Sequence, residues 1–198
     1  MPVERESDLT ERLVDRQVVR QSNYMTVVAD TIETPDGRRH ARDVVLHPGA
    51  VTVVAILPDG RVLLVCQYRH AAGQVLLELP AGTLDRLADG SIEDPAVAGP
   101  RELSEETGYR AQNWRRLGAF WTAPGFASER MTLYLATDLS PDPNHAGPDP
   151  DERLLVEAVA LPELVARVER DEIHDAKTII GVMWVAALVR AGEVTLPG

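Results

Sequence analysis

Apolar residues along the chain keep two different periods. Over residues 24–33 (YMTVVADTIE) and 41–47 (ARDVVLH) they recur at the short spacing of strands, and Pro35-Asp36-Gly37 between the runs is turn chemistry, so a β-hairpin is predicted. A second unit repeats the plan in more apolar form, with 50–57 (AVTVVAIL), the turn Pro58-Asp59-Gly60, and 62–69 (VLLVCQYR). Near-continuous runs of this kind predict strands buried on both faces, central in a sheet. Further strands are predicted at 75–80, 114–123, 131–139 and 152–161. Helical spacing appears in three places. The first helix has Asp94 as N-cap, Pro95 in its first turn and Gly108 as its stop; the others are 161–173 and 176–192, the last apolar on most faces as a helix laid on a sheet would be. Residues 138–152 are too rich in Pro and Asp to predict regular structure and read as a long exposed loop. The irregular alternation of strands and helices predicts an α/β/α sandwich around a mixed sheet, with residues 1–48 as an N-terminal β-hairpin extension and 49–198 as the main domain.

Composition narrows the function classes. A chain of 198 residues holds a core without staples. A net charge of -11 and a pI near 4.9 disfavour a nucleic-acid partner, because phosphate backbones are bound by displacing counterions with basic side chains. Small anionic substrates stay open, provided metal cations mediate. No apolar run approaches the roughly 20 residues of a membrane span, so no membrane partner is expected. The opening MPVERESDLTERLVDRQVVR lacks the apolar stretch of a secretory signal, and the lone Cys66 in VLLVCQY excludes a disulfide framework; a cytoplasmic protein is expected.

The first helix raises a chemical question. Arg101, Glu102, Glu105 and Glu106 crowd within six positions. At about 100° per residue Glu102 and Glu106 lie about 40° apart, and Glu105 about 60° to the other side of Glu102, so three carboxylates share one face. Like charges at this spacing repel by a few tenths of a kcal/mol per pair. Two roles suit such a face: an ion-paired surface, with Arg101 and Glu105 at four-residue spacing, or a site for a hard divalent cation, which prefers carboxylate, carbonyl and water oxygens.

Residues 101–109, Arg-Glu-Leu-Ser-Glu-Glu-Thr-Gly-Tyr, resemble the second half of the Nudix box, with Glu93 at the place of its earlier Glu and Gly82 of ELPAG at its opening Gly. The sequence departs from the pattern in three ways. Ten residues separate Gly82 from Glu93 where the family has five, with Asp89-Gly90 expected at the tip of the longer loop; Pro100 precedes the Arg; and Tyr109 replaces an aliphatic residue. The resemblance implies a hydrolase of a diphosphate linked to another moiety, with Mg²⁺ (or Mn²⁺) held by Glu102, Glu106 and the carbonyl of Ala81. Glu105 is either a further ligand or the partner of Arg101.

Residues outside the box resemble the ADP-ribose pyrophosphatase branch. Pro124 in TAPGFASER stands sixteen positions after Gly108, and QYRH at 67–70 precedes LLELPAG at 76–82. The branch implies ADP-ribose as substrate, contacted by Arg69, Glu78 and the Pro124-Gly125-Phe126 segment, a homodimer built through the N-terminal strands, and a catalytic base on a late loop, here Glu152 or Asp151. A sugar nucleotide, a dinucleoside polyphosphate or an oxidised nucleotide would use the same helix. A non-catalytic Nudix ligand-sensing module is the remaining alternative.

Overall fold

Gly37 and Gly60 both sit at φ 79°, a left-handed conformation that a glycine reaches without a Cβ penalty, and each closes a turn between antiparallel strands. In the computed structural model, which describes residues 9–147 and 153–196, the strands are β1 (Arg12–Gln21), β2 (Thr26–Glu33), β3 (Arg39–Leu46), β4 (Ala50–Ile56), β5 (Arg61–Arg69), β6 (Gln74–Glu78), β7 (Ala81–Thr83), β8 (Tyr109–Trp121), β9 (Arg130–Pro141) and β10 (Leu155–Ala160). The helices are α1 (Pro95–Thr107), α2 (Leu161–Glu169) and α3 (Ala176–Arg190). None of these is long and apolar enough to cross a membrane. The chain divides into two compact units, one made of residues up to Gly49 with Trp121–Arg130, the other of Ala50–Phe120 with the residues from Met131 onward.

The first unit carries the antiparallel sheet β1-β2-β3. β2 and β3 pair from Thr26↔Leu46 to Glu33↔Arg39, as the hairpin pattern predicts. β1 is an addition to the predicted strands, because its charged sequence, RLVDRQVVRQ, hides the alternation. Cross-strand ion pairs hold it to β2: Arg12 to Glu33 at 2.7 Å, and the Arg16 fork to both oxygens of Asp30 at 2.7 and 2.6 Å. Residues 121–130 join this unit through Val45, whose N–H donates to the Phe126 carbonyl and whose carbonyl accepts from Ser128. The unit thus extends beyond the N-terminal strands.

The second unit is a mixed sheet of order β10-β5-β4-β9-β8, with β6 on β5 and β7 on β4; β4 and β9 run parallel. Every residue of β4 is buried. Its side chains alternate between two cores: Val54 and Ile56 pack with Leu164 of α2 and Val182 and Val185 of α3, whereas Val53 and Ala55 pack with Leu103 of α1. Helices therefore cover both faces, the expected α/β/α sandwich. Tyr109 packs against the second of these cores, so the aromatic replacement is accommodated there. β9 continues to Pro141, past Asp138 at φ 56°, so the strand runs further into the Pro- and Asp-rich segment than composition predicts.

Candidate active site

Local sequence fixes the helix that carries the charges. The Asp94 side chain accepts from the N–H of Ala96, Pro95 occupies the first turn, and Gly108 at φ 72° returns its N–H to the Ser104 carbonyl. Pro100 lies inside the helix, which starts about 1.7 turns before Arg101. The longer loop ahead of α1 folds back as an Arg86↔Ile92 bridge, with Gly90 at φ 85° at its tip.

Arg101 is the hub of the acidic cluster. Its guanidinium bonds Glu93 at 2.8 Å, Glu102 at 2.8 Å and Glu105 at 3.0 Å, with Asp85 at 3.7 Å. The Glu93 hydrogen bond does most to raise the Arg101 pKa, against the opposing effect of burial, and the same bond holds the Glu93 carboxyl below its usual range. Glu93 also accepts from the Asp85 N–H at 3.2 Å, which closes the loop onto the helix.

Glu102 and Glu106 are brought to the backbone of β7. Glu106 is buried and accepts from the Ala81 N–H at 2.9 Å. The Glu102 carboxylate occupies the space that a side chain at residue 82 would fill, so only glycine fits without moving it. Among the described residues no three His, Cys, Asp or Glu side chains converge as a ready-made metal cage. Two carboxylates beside one strand backbone are a hard oxygen donor set, and they fit a cation bound through one or two carboxylates and completed by substrate phosphates.

Arg69 and Glu78, predicted substrate contacts, form a bidentate pair, with both N···O distances 2.7 Å. Glu78 is 1% exposed, and its second cation is Lys177 of α3, which also bonds Asp175 at 3.1 Å. Burial alone would raise the Glu78 pKa; the Arg69 hydrogen bond and the Lys177 charge outweigh it and hold the carboxyl below its ordinary value. Arg69 is shifted upward, chiefly by the Glu78 hydrogen bond and in part by the charge of Glu106, which puts it in the field of the acidic helix. Asp175 caps α3 by accepting from the Thr178 N–H and hydroxyl, and the Thr178 hydroxyl oxygen accepts from the Leu79 N–H at 2.8 Å. Lys177, Asp175 and Thr178 are additions to the predicted set. Their signal was a lysine in an otherwise apolar helix two residues after an Asp N-cap.

Pro124, Gly125 and Phe126 belong to the first unit, where they line a recess of about 480 Å³ with Trp121, Asp30 and Arg42. Asp151 and Glu152 lie outside the described residues. Cys66 donates to Glu157 at 3.4 Å, and burial pushes its thiol up to about 11, the wrong direction for a nucleophile.

The family model of the NUDIX domain matches residues 46–180. The chain belongs to the Nudix family. It is 34% identical over 176 residues to the ADP-ribose pyrophosphatase of Bacillus subtilis, covering 89% of this chain and 92% of that one. It is 39% identical over 163 residues to the ADP-ribose pyrophosphatase of Mycobacterium tuberculosis (80% and 75%), and 37% identical over 174 residues to the methanol dehydrogenase activator of Bacillus methanolicus (88% and 91%). Among solved structures, an ADP compounds hydrolase matches with a TM-score of 0.77 at 24% identity, covering 94% of this chain and 98% of that chain. The fold is thus the Nudix fold and the protein is a Nudix diphosphatase, of a family whose hydrolases use divalent metal ions.

Proposed function

We propose that this Nudix hydrolase cleaves ADP-ribose to AMP and ribose 5-phosphate in a Mg²⁺-dependent reaction. The observation that carries the reading is the placement of the Glu102 and Glu106 carboxylates against the Ala81-Gly82 backbone, with Arg69 in the field of Glu106. Two relatives named ADP-ribose pyrophosphatase, 34% and 39% identical, support ADP-ribose as the substrate. Glu102, Glu106 and the Ala81 carbonyl would hold the cation, and Mn²⁺ would serve by the same oxygens. A bound Mg²⁺ neutralises diphosphate charge and makes water more acidic.

The chain's own groups do the rest. Arg69, its fork pinned by Glu78, turns its remaining donors to a phosphoryl oxygen. Arg101 positions Glu102 and shares its charge with Glu93 and Glu105, so that the acidic face stays folded when no substrate is bound. Glu152, or Asp151 next to it, is proposed to take the proton from the attacking water, while a phosphorus–oxygen bond of the diphosphate bridge breaks. The Pro124-Gly125-Phe126 segment is proposed to contact the substrate. A homodimer is proposed through the first unit, whose strand β1 leaves Leu13, Val18 and Val19 exposed. A cytoplasmic setting suits the single reduced thiol.

Product analysis tests the substrate. ADP-ribose, GDP-mannose, a dinucleoside polyphosphate and 8-oxo-dGTP are incubated with the protein and Mg²⁺. AMP and ribose 5-phosphate from ADP-ribose at the highest kcat/KM support the proposal. Preference for another compound replaces the substrate and keeps the helix, and turnover of none leaves the ligand-sensing reading.

A further inference from the structure

We infer that Lys177 is a positioning residue for anion binding: by holding the buried Glu78 carboxylate between itself and Arg69, it fixes the Arg69 guanidinium with one edge spent and the other turned outward. The inference rests on the proposed role of Arg69 towards a phosphoryl oxygen and deepens it.

Charge and burial make the case. Glu78 is 1% exposed and Lys177 is 7% exposed, so neither ion is held there by water, whereas the Arg69 side chain keeps 42% of its surface. Arg69 gives Nε and Nη2 to Glu78, and among the described residues Nη1 has no hydrogen-bond partner. A guanidinium bound along one edge cannot rotate, and its remaining donors keep a fixed direction. Arg69 alone would leave Glu78 with a single cation in a low-dielectric setting, where an under-paired charge is costly and its surroundings rearrange. Lys177 prevents this, and its own position is set by Asp175, the N-cap of α3. The four groups sum to zero charge. An arriving phosphate therefore meets a cluster that is neutral in itself and set in the negative field of Glu106, with the Arg69 guanidinium as its solvent-facing donor group, rather than an unpaired pair of cations that inorganic anions would occupy.

The test separates this role from a structural one. For Lys177→Met, KM for ADP-ribose is expected to rise about tenfold with kcat changed less than threefold, and Lys177→Arg is expected to restore KM to within threefold. In the Arg69→Ala background, Lys177→Met is expected to add nothing to KM, because the lysine acts through the arginine. A fall in kcat alone with KM unchanged, or effects of the two substitutions on KM that multiply, would overturn the inference. If the unaltered protein does not turn over ADP-ribose, the substrate reading fails by itself, and the same comparison is made by calorimetry of pyrophosphate with Mg²⁺, with the same order of variants expected for Kd. Should Lys177→Met not fold, NMR of the unaltered protein decides. Pyrophosphate is expected to shift the Arg69 Nη protons while Nε–H stays protected in its bond to Glu78; unchanged Nη signals, or loss of Nε–H protection, would refute the arrangement.

Discussion

Alanine at residue 82 separates the proposed metal helix from the stability of the fold. Gly82 is not among the glycines in the left-handed region, so alanine meets no backbone penalty there. What its Cβ meets is the Glu102 carboxylate: to restore the 3.4 Å at which ordinary contact begins, both oxygens must retreat by at least about 1 Å. The obstructing group is the far end of a flexible side chain, and moving it costs stability little, on the order of 1 kcal/mol or less. A reacting group misplaced by about 1 Å costs about 10²-fold in rate. Gly82→Ala is therefore expected to lower kcat about 10²-fold. Its melting temperature should stay within about 2–4 °C of the unaltered protein, the shift expected for about 1 kcal/mol in a chain of this size. Steady-state kinetics with saturating Mg²⁺ and a thermal melt of the same sample check both halves. Full activity in Gly82→Ala would refute the reading of Glu102 as a ligand held against that backbone, and an activity loss matched by unfolding would show that the glycine serves packing instead.

Three further outcomes follow from the same geometry. Glu78 is held below the ordinary carboxylate value of 4.5, so its contribution to stability is complete above that pH and is lost as pH falls through its folded value; denaturant melts from about pH 6 to 3 should show the loss, with a shallower slope in Glu78→Gln, and an unchanged slope would assign the acid sensitivity elsewhere. A Cβ on Gly181 of α3 would lie 2.5 Å from Leu79 Cδ1 and 3.0 Å from Val54 Cγ2; overpacking of about 1–3 kcal/mol exceeds the roughly 1 kcal/mol gained in helix propensity, so Gly181→Ala should melt lower, and a higher melting point would contradict the close approach. The Cys66 thiol, with its pKa near 11, should react with a disulfide reagent at pH 8 far more slowly than a free thiol, and Cys66→Ala should keep full activity.

The parts of the molecule legible in the sequence were those whose physics is local. Asp94, Pro95 and Gly108 bound α1 because caps and stops act within one turn. The alternation of Val53 and Val54 between two cores follows from strand geometry, and the crowding of Glu102, Glu105 and Glu106 follows from helical pitch. β1 was hidden because it is stabilised by ion pairs to Asp30 and Glu33, residues distant in sequence, and not by a buried face of its own. Lys177 was hidden for the same reason: its partner Glu78 lies 99 residues away, and a lysine in an apolar helix does not announce which carboxylate it neutralises. The partition of the carboxylates, with Glu105 on Arg101 and Glu106 on the Ala81 N–H, also needed the strand β7 beside the helix.

The most direct test of the account is a Mg²⁺ titration of ADP-ribose hydrolysis by the unaltered protein beside Glu106→Gln, with AMP and ribose 5-phosphate quantified. Turnover is expected to rise from nothing to saturation with Mg²⁺ and to fall at least about 10²-fold in the variant, which keeps the size and shape of the side chain and loses its charge. Equal turnover by the two proteins, or turnover unaffected by removal of divalent ions, would contradict it.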